Sequence, residues 1–336
     1  MHIPDNYLSP ATCAVMGAAM APVWAVAVRK VTREVDRARV PLLGIGAALS
    51  FLVMMFNVPL PGGTTGHAVG GTLLAIVLGP WSACISVSIA LLVQALLFGD
   101  GGILAFGANC FNMAFIIPSL GYFLYRFISE RARGRAGNYL GVAVGSYVGI
   151  NIAALAAAIE FGLQPALAHT AAGQPLYCPY PLSISIPAML VPHLAVAGLV
   201  EVAFTVAIVA FIRRVSPGMI RESTGKKVRW IYGVLVALVC LSPLGLLAAG
   251  TAWGEWGADE IAAVASGGST LGYVPAGMRS GFSFEALLPD YTVKGLPDFA
   301  GYIVSAIAGA AILVILFRVV SVFGRKNGQR LRGGTP

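Results

Sequence analysis

The chain has 336 residues, 57% of them hydrophobic and 11% charged, with a net charge of +8 and a mean hydropathy of +0.82. Such a composition excludes a soluble globular domain. The positive balance does not point to nucleic acid either, because the basic residues sit in short clusters between apolar runs, as they do in polytopic membrane proteins.

The chain opens MHIPDNYLSP, with no Lys or Arg ahead of its first apolar run. A cleaved signal peptide is therefore not expected, although Ala25-Val26-Ala27 mimics a cleavage site. Crossings are predicted at 11–28, 40–57, 68–79, 80–98, 102–125, 138–163, 184–212, 229–249 and 299–321. Nearly all the basic residues fall into four clusters. They are Arg29 to Arg39, Arg126 to Arg135, Arg213 to Arg229, and the C-terminal tail from Arg318; only Arg279 and Lys294 lie elsewhere. Placing all four clusters in the cytoplasm puts the N-terminus outside. It also requires residues 68–98 to cross twice, turning at Gly79-Pro80. The expected architecture is an all-α polytopic membrane protein, a bundle of about seven transmembrane helices followed by a two-helix hairpin. Its units are 1–213, a cytoplasmic linker 214–228, and 229–336 with an external loop at 250–298. The five cysteines (Cys13, Cys84, Cys110, Cys178, Cys240) form no CxxC pair and imply no disulfide framework.

The 68–79 crossing is too short. Twelve residues span roughly 18 Å of a hydrocarbon core about 30 Å thick. The loop before it, NVPLPGGTTGH (57–67), must dip inward to meet it, which irregular backbone tolerates where it is buried in protein. That loop ends on His67, one of four histidines with His2, His169 and His193.

His2 has unusual chelating power. The α-amine of Met1, the His2 backbone nitrogen and His2 Nδ1 can close a five-membered and then a six-membered ring on one metal ion. Topology brings His67 to the same outer cavity, where it can complete a square of nitrogens. A tetragonal nitrogen site favours Ni(II) or Cu(II) over Zn, Mg or Ca, and Pro4 and Pro10 stiffen the segment that presents it.

Three stretches carry a family resemblance: MHIPDNYLSP, FNVPLPGGTTGHAVGG (56–71) and LGPWSACISVSIALLVQALLFGDGGILAFGANCFNMAF (78–115). Over roughly residues 1–213 the chain resembles the CbiM/NikM family, the substrate-capturing components of energy-coupling-factor (ECF) nickel and cobalt transporters. The resemblance implies metal ligands at Met1, His2 and His67. It also implies two partners, a transmembrane coupling protein and a pair of ABC-type ATPases. Residues 229–321, above all Leu288 to Val293, resemble the NikN-like extension of nickel-type members. The PDGLE string of that extension is not present as such; WGADEI stands at a comparable place.

Other polar residues carry open alternatives. Gln94, Asn109 and Asn112 either orient the metal-ligating histidines or join helices by hydrogen bonds. Asp100 either attracts cations or caps the following helix. Glu160 is expected to be exposed at an outer helix end, and Glu201 to face a coupling partner or pair with His193. The acidic residues Asp259, Glu260, Glu285, Asp290 and Asp298 either concentrate cations or keep the loop soluble. The stripes Ala14/Ala18 and Gly44/Ala48 suit either partner docking or internal packing.

No Walker A sequence and no HExxH is present. Paired intramembrane carboxylates expected of a proton-coupled carrier are missing as well. The reading is a non-enzymatic Ni(II)-capturing subunit of an ATP-driven importer in a prokaryotic cytoplasmic membrane. It is embedded in lipid, without an organic cofactor or a nucleic-acid partner. Co(II) uptake for cobalamin synthesis is the alternative, and a self-sufficient divalent-metal channel or secondary carrier is the alternative of another class.

Overall fold

The computed structural model describes residues 1–36, 39–132, 134–215, 229–248, 250–266 and 268–330. Most of the expected linker 214–228, with Arg221, Lys226 and Lys227, lies outside the described residues. So do Arg37, Arg133 and Arg332 of the other basic clusters.

The fold is an all-α membrane bundle. Among the described residues, seven helices are long and apolar enough to span a bilayer. They are α1 (Pro10–Glu34), α4 (Pro80–Phe98), α5 (Phe106–Arg131), α6 (Arg135–Leu167), α7 (Leu182–Val215), α8 (Trp230–Leu247) and α9, whose span is Asp298–Val322. The other two expected crossings fall short of that length. They are α2 (Val40–Met54), of 15 residues, and α3 (Gly71–Leu78), of 8 residues or about 12 Å. α2 ends where Asn57, Pro59 and Pro61 lead the chain into a ribbon. α3 begins late because the segment just ahead of it is held in non-helical form by Glu201, whose carboxylate accepts from Val69 N at 2.8 Å and Gly70 N at 3.1 Å.

The 57–67 loop is more regular than expected. β1 (Val58–Leu60) pairs antiparallel with β2 (Thr64–Gly66), with Val58 opposite Gly66 and Leu60 opposite Thr64. The turn between them uses Gly62 and Gly63 at φ +92° and +75°, a region that side chains resist. His67 follows β2 directly, so the ribbon delivers it to the end of the bundle that holds the N-terminal segment.

α1 starts on Ser9, whose hydroxyl accepts from Thr12 N at 3.2 Å, with Pro10 in the first turn. It is peripheral: only Cys13, Met20 and Ala27 are buried, and Ala14 and Ala18 lie exposed. The second small-residue stripe is used internally. Gly44 of α2 packs on Phe317 of α9, and Gly309 of α9 packs against the Phe51 ring, the close approach that small residues permit in membrane helices. Tyr302 of α9 donates to Met55 O at 2.8 Å, tying the C-terminal unit to the end of α2.

Replacing Gly309 by Leu forces a side chain into the Phe51 ring. The expected outcome is overpacking that destabilises by about 1–3 kcal/mol, read as a lower thermal midpoint in detergent. Val15→Ala on the exposed face of α1 should leave that midpoint unchanged.

Candidate metal centre

The N-terminal segment is threaded into the protein. Met1, His2 and Ile3 are 3%, 2% and 0% exposed, so their backbone groups need partners inside. Asn109 supplies two of them: Ile3 N donates to its Oδ1 at 2.8 Å, and its Nδ2 donates to Ile3 O at 3.0 Å. Gly102 N also donates to Ile3 O, at 2.8 Å. Asp5 accepts from Ile103 N at 2.9 Å and Leu104 N at 2.7 Å. It is therefore Asp5, rather than Asp100, that serves the amides ahead of α5.

This clamp sets two imidazoles side by side. His67 Nε2 lies 3.2 Å from His2 Nδ1. His67 Nδ1 lies 3.1 Å from Ala68 O; a carbonyl can only accept, so Nδ1 carries the proton and Nε2 presents a lone pair. Burial, and then the charge of His2, hold His67 well below the ordinary histidine pKa, which keeps it neutral. Metal–nitrogen bonds of about 2.0 Å put adjacent ligands of a square about 2.8 Å apart. The two ring nitrogens thus need to close by only a few tenths of an ångström to serve as neighbours on one ion.

The α-amine of Met1 donates to Glu255 Oε1 at 2.9 Å, a buried ammonium paired with a carboxylate. Glu255 sits in AWGEW (252–256) between two tryptophans. Trp253 packs against Phe161 and Tyr180, with ring centroids 5.8 and 5.5 Å away. Tyr7 OH donates to Trp256 O at 2.9 Å. Asp100 takes the other side: its Oδ1 is 3.1 Å from His2 Nδ1, and its Oδ2 accepts from Gln94 Nε2 at 3.0 Å and from Tyr291 OH. Burial, then Asp100, raise the Tyr291 pKa well above the ordinary phenol value, so Tyr291 stays a donor. Tyr291 and Asp290 both adopt left-handed backbone, at φ +60° and +52°, a conformation that disfavours side chains. Stacking of Tyr291 on Phe98 at 4.8 Å helps hold it there. A cavity of about 360 Å³ opens onto this cluster, lined among others by His2, His67, Asp100, Glu255 and Asp290.

The remaining sequence candidates fall as follows. Gln94 reaches His2 only through Asp100, Asn109 holds the backbone beside it, and Asn112 donates to Glu160 Oε2 at 2.9 Å. Glu160 is 8% exposed; contrary to expectation it is buried, because Asn112 on the facing helix supplies a donor. Glu201 does not pair with His193 but clamps the backbone after His67. His169 is exposed, bonded to its own loop at Thr170 O.

Residues 2–219 match the CbiM family, described as a cobalt uptake substrate-specific transmembrane region. The chain belongs to the CbiM family. Residues 227–326 match the PDGLE domain, although the pentapeptide itself is absent. A relative in Lactiplantibacillus plantarum, "Probable fused nickel transport protein LarMN", is 54% identical over 95% of this chain and 97% of its own length. The "Fused nickel transport protein NikMN" of Rhodobacter capsulatus is 46% identical over 94% and 95%. A crystal structure described as a truncated transition metal transporter superposes with a TM-score of 0.61, at 59% identity, covering 64% of this chain and 99% of that one.

Within this CbiM-family protein the PDGLE unit contributes directly to the centre, through Glu255 and Tyr291. Sequence reasoning passed over both. Glu255 was legible as a lone acid between two tryptophans, and Tyr291 as part of Leu288 to Val293; neither pattern says which surface it meets. Of the loop acids, Asp290 lines the cavity and Asp259, Glu260, Glu285 and Asp298 are exposed.

Asn109→Leu leaves the Ile3 N–H and C=O short of partners. The expected cost is about 1–3 kcal/mol of local stability, measured as faster hydrogen exchange at the Ile3 amide and as new susceptibility of Met1 to an aminopeptidase.

Proposed function

We propose that this nickel/cobalt transport component of the CbiM family captures Ni(II) on the outer side of the cytoplasmic membrane. In this reading the ion is held by the Met1 amine, the His2 backbone nitrogen, His2 Nδ1 and His67 Nε2. The observation that carries it is the buried pair of imidazole nitrogens 3.2 Å apart, next to a buried α-amine. All four donors are nitrogens, and a square of nitrogens suits Ni(II) while hard cations prefer oxygen. The carboxylates of Asp100, Glu255 and Asp290 in the cavity wall draw cations towards the histidines. The metal binds by displacing water and protons from the amine, the amide and His2.

Two relatives that align with nearly the whole chain are named as nickel transport proteins, which favours nickel. Cobalt has its own support in the family description and in the "Cobalt transport protein CbiM" of Geobacter sulfurreducens, 30% identical over 77% of this chain and 75% of its length. The basic clusters favour an N-terminus outside, which puts the cavity towards the external solution. The absence of a Walker A sequence favours coupling to an ECF transmembrane protein and ABC-type ATPases. The exposed Ala14/Ala18 face of α1 is available for that contact.

His2→Ala removes the imidazole, and with it the six-membered ring, without touching the helices. Tight Ni(II) binding, measured by competition titration, should be lost, and unchanged binding would refute the chelate. Affinity in the unmodified protein should fall steadily as pH is lowered, because protons compete for the same nitrogens. His67 contributes to that fall only well below the ordinary histidine pKa. In liposomes the chain alone should give no sustained uptake. Fast, saturable uptake without ATPases would favour a self-sufficient carrier instead.

A further inference from the structure

His193 is the one histidine of the outer region left without a role, and its chemistry is tightly defined. It is 4% exposed and opens a π-helical turn, His193–Ala197, directly after Pro192. Such turns re-aim side chains and recur at functional positions. Its Nδ1 lies 2.7 Å from Met189 O. That carbonyl can only accept, so Nδ1 carries a proton; a second proton on Nε2 would place an unpaired charge in the interior, so the ring is neutral with a bare lone pair there. Nε2 is buried and has no hydrogen-bond partner among the described residues, an expensive arrangement unless a donor arrives.

The chain terminus, a donor, borders the same space. Met1 and His193 line the same small cavity, together with Thr64, Thr65, Met189 and Trp253. The space they share is about 10 Å³, the lower limit for a single water, so it has no room for a larger group.

We propose that His193 is a positioning residue for the metal-binding amine: once the metal is bound, its Nε2 accepts one N–H of Met1 while Glu255 Oε1 accepts the other. This rests on the chelate reading above. An amine that gives its lone pair to a metal keeps two N–H bonds. In a planar chelate ring they project to opposite faces of the plane. Two acceptors on separate elements, Glu255 after α8 and His193 in α7, hold the amine so that its lone pair lies in the plane with His2. A nitrogen that has lost either acceptor can swing out of the plane, which penalises square-planar Ni(II) more than ions that accept other geometries.

The test compares the full-length parent with His193→Leu, which removes the acceptor, and His193→Gln, which keeps one. His193→Leu should weaken Ni(II) binding about tenfold, the effect of losing one buried hydrogen bond, and His193→Gln should recover it to within about threefold. A second measurement uses the unmodified protein labelled with ¹⁵N-histidine. Square-planar Ni(II) is diamagnetic, so the His193 Nε2 resonance should remain visible and move upfield when Ni(II) is added. Parent-like affinity in His193→Leu, or a His193 resonance that ignores the metal, overturns the proposal. Paramagnetic loss of the His193 ring signals also overturns it, by making that ring a ligand. His67→Ala is run in parallel. If it too binds as the parent does, the chelate reading has failed; if it loses binding while His193→Leu does not, only the role of His193 falls.

Discussion

A charged α-amine carried into the interior of a membrane protein is the constraint around which this structure is arranged. Burying an unpaired ammonium is prohibitive, and Met1 is 3% exposed. Everything near it works to offset that penalty: Glu255 accepts from the amine, Asn109 takes both backbone groups of Ile3, and Asp5 serves two amides ahead of α5. These bonds convert a chain terminus, normally the loosest part of a protein, into a fixed element. A fixed terminus presents its amine and the following backbone nitrogen in one defined geometry.

The second half of the centre is held by a different device. His67 sits at the junction of a hairpin and a helix of only 8 residues. Glu201 from the middle of α7 bonds the amides of Val69 and Gly70, and Ser50 Oγ donates to Val69 O at 2.7 Å. A carboxylate at the head of a helix is favourable for charge as well as for hydrogen bonding. The result is that the backbone just after His67 is held by α2 and α7, and the backbone just before it by the ribbon. The tautomer of His67 is set by its own neighbour, Ala68.

The C-terminal unit is not an appendage. Its helix α9 packs on α2 through glycines at both sides of the contact. Its external segment reaches over the bundle, where Asn6 and the Phe282 backbone bond each other in both directions. Glu255 and Tyr291 then meet the two ends of the Met1–His2 dipeptide, one at the amine and the other through Asp100. The cavity beside His2 and His67 is therefore walled by both the CbiM and the PDGLE regions.

Much of this was legible in the amino-acid sequence, because hydropathy and charge placement act locally. Long apolar runs specified the membrane class and nine crossings, of which seven have the length to span, and the mismatch at 68–79 pointed to an inward-dipping segment ending on His67. The Met-His start carried its chelating chemistry on adjacent atoms. What sequence could not decide depends on which surfaces meet. Glu160 is buried because Asn112 faces it; Glu201 serves a backbone 131 residues away; Glu255 finds an amine at the other end of the chain. Gly44 packs inside instead of outward because α9 returns to α2. Local pattern determined what each residue can do, and only the tertiary contacts, long in sequence and short in space, decided what it does it to.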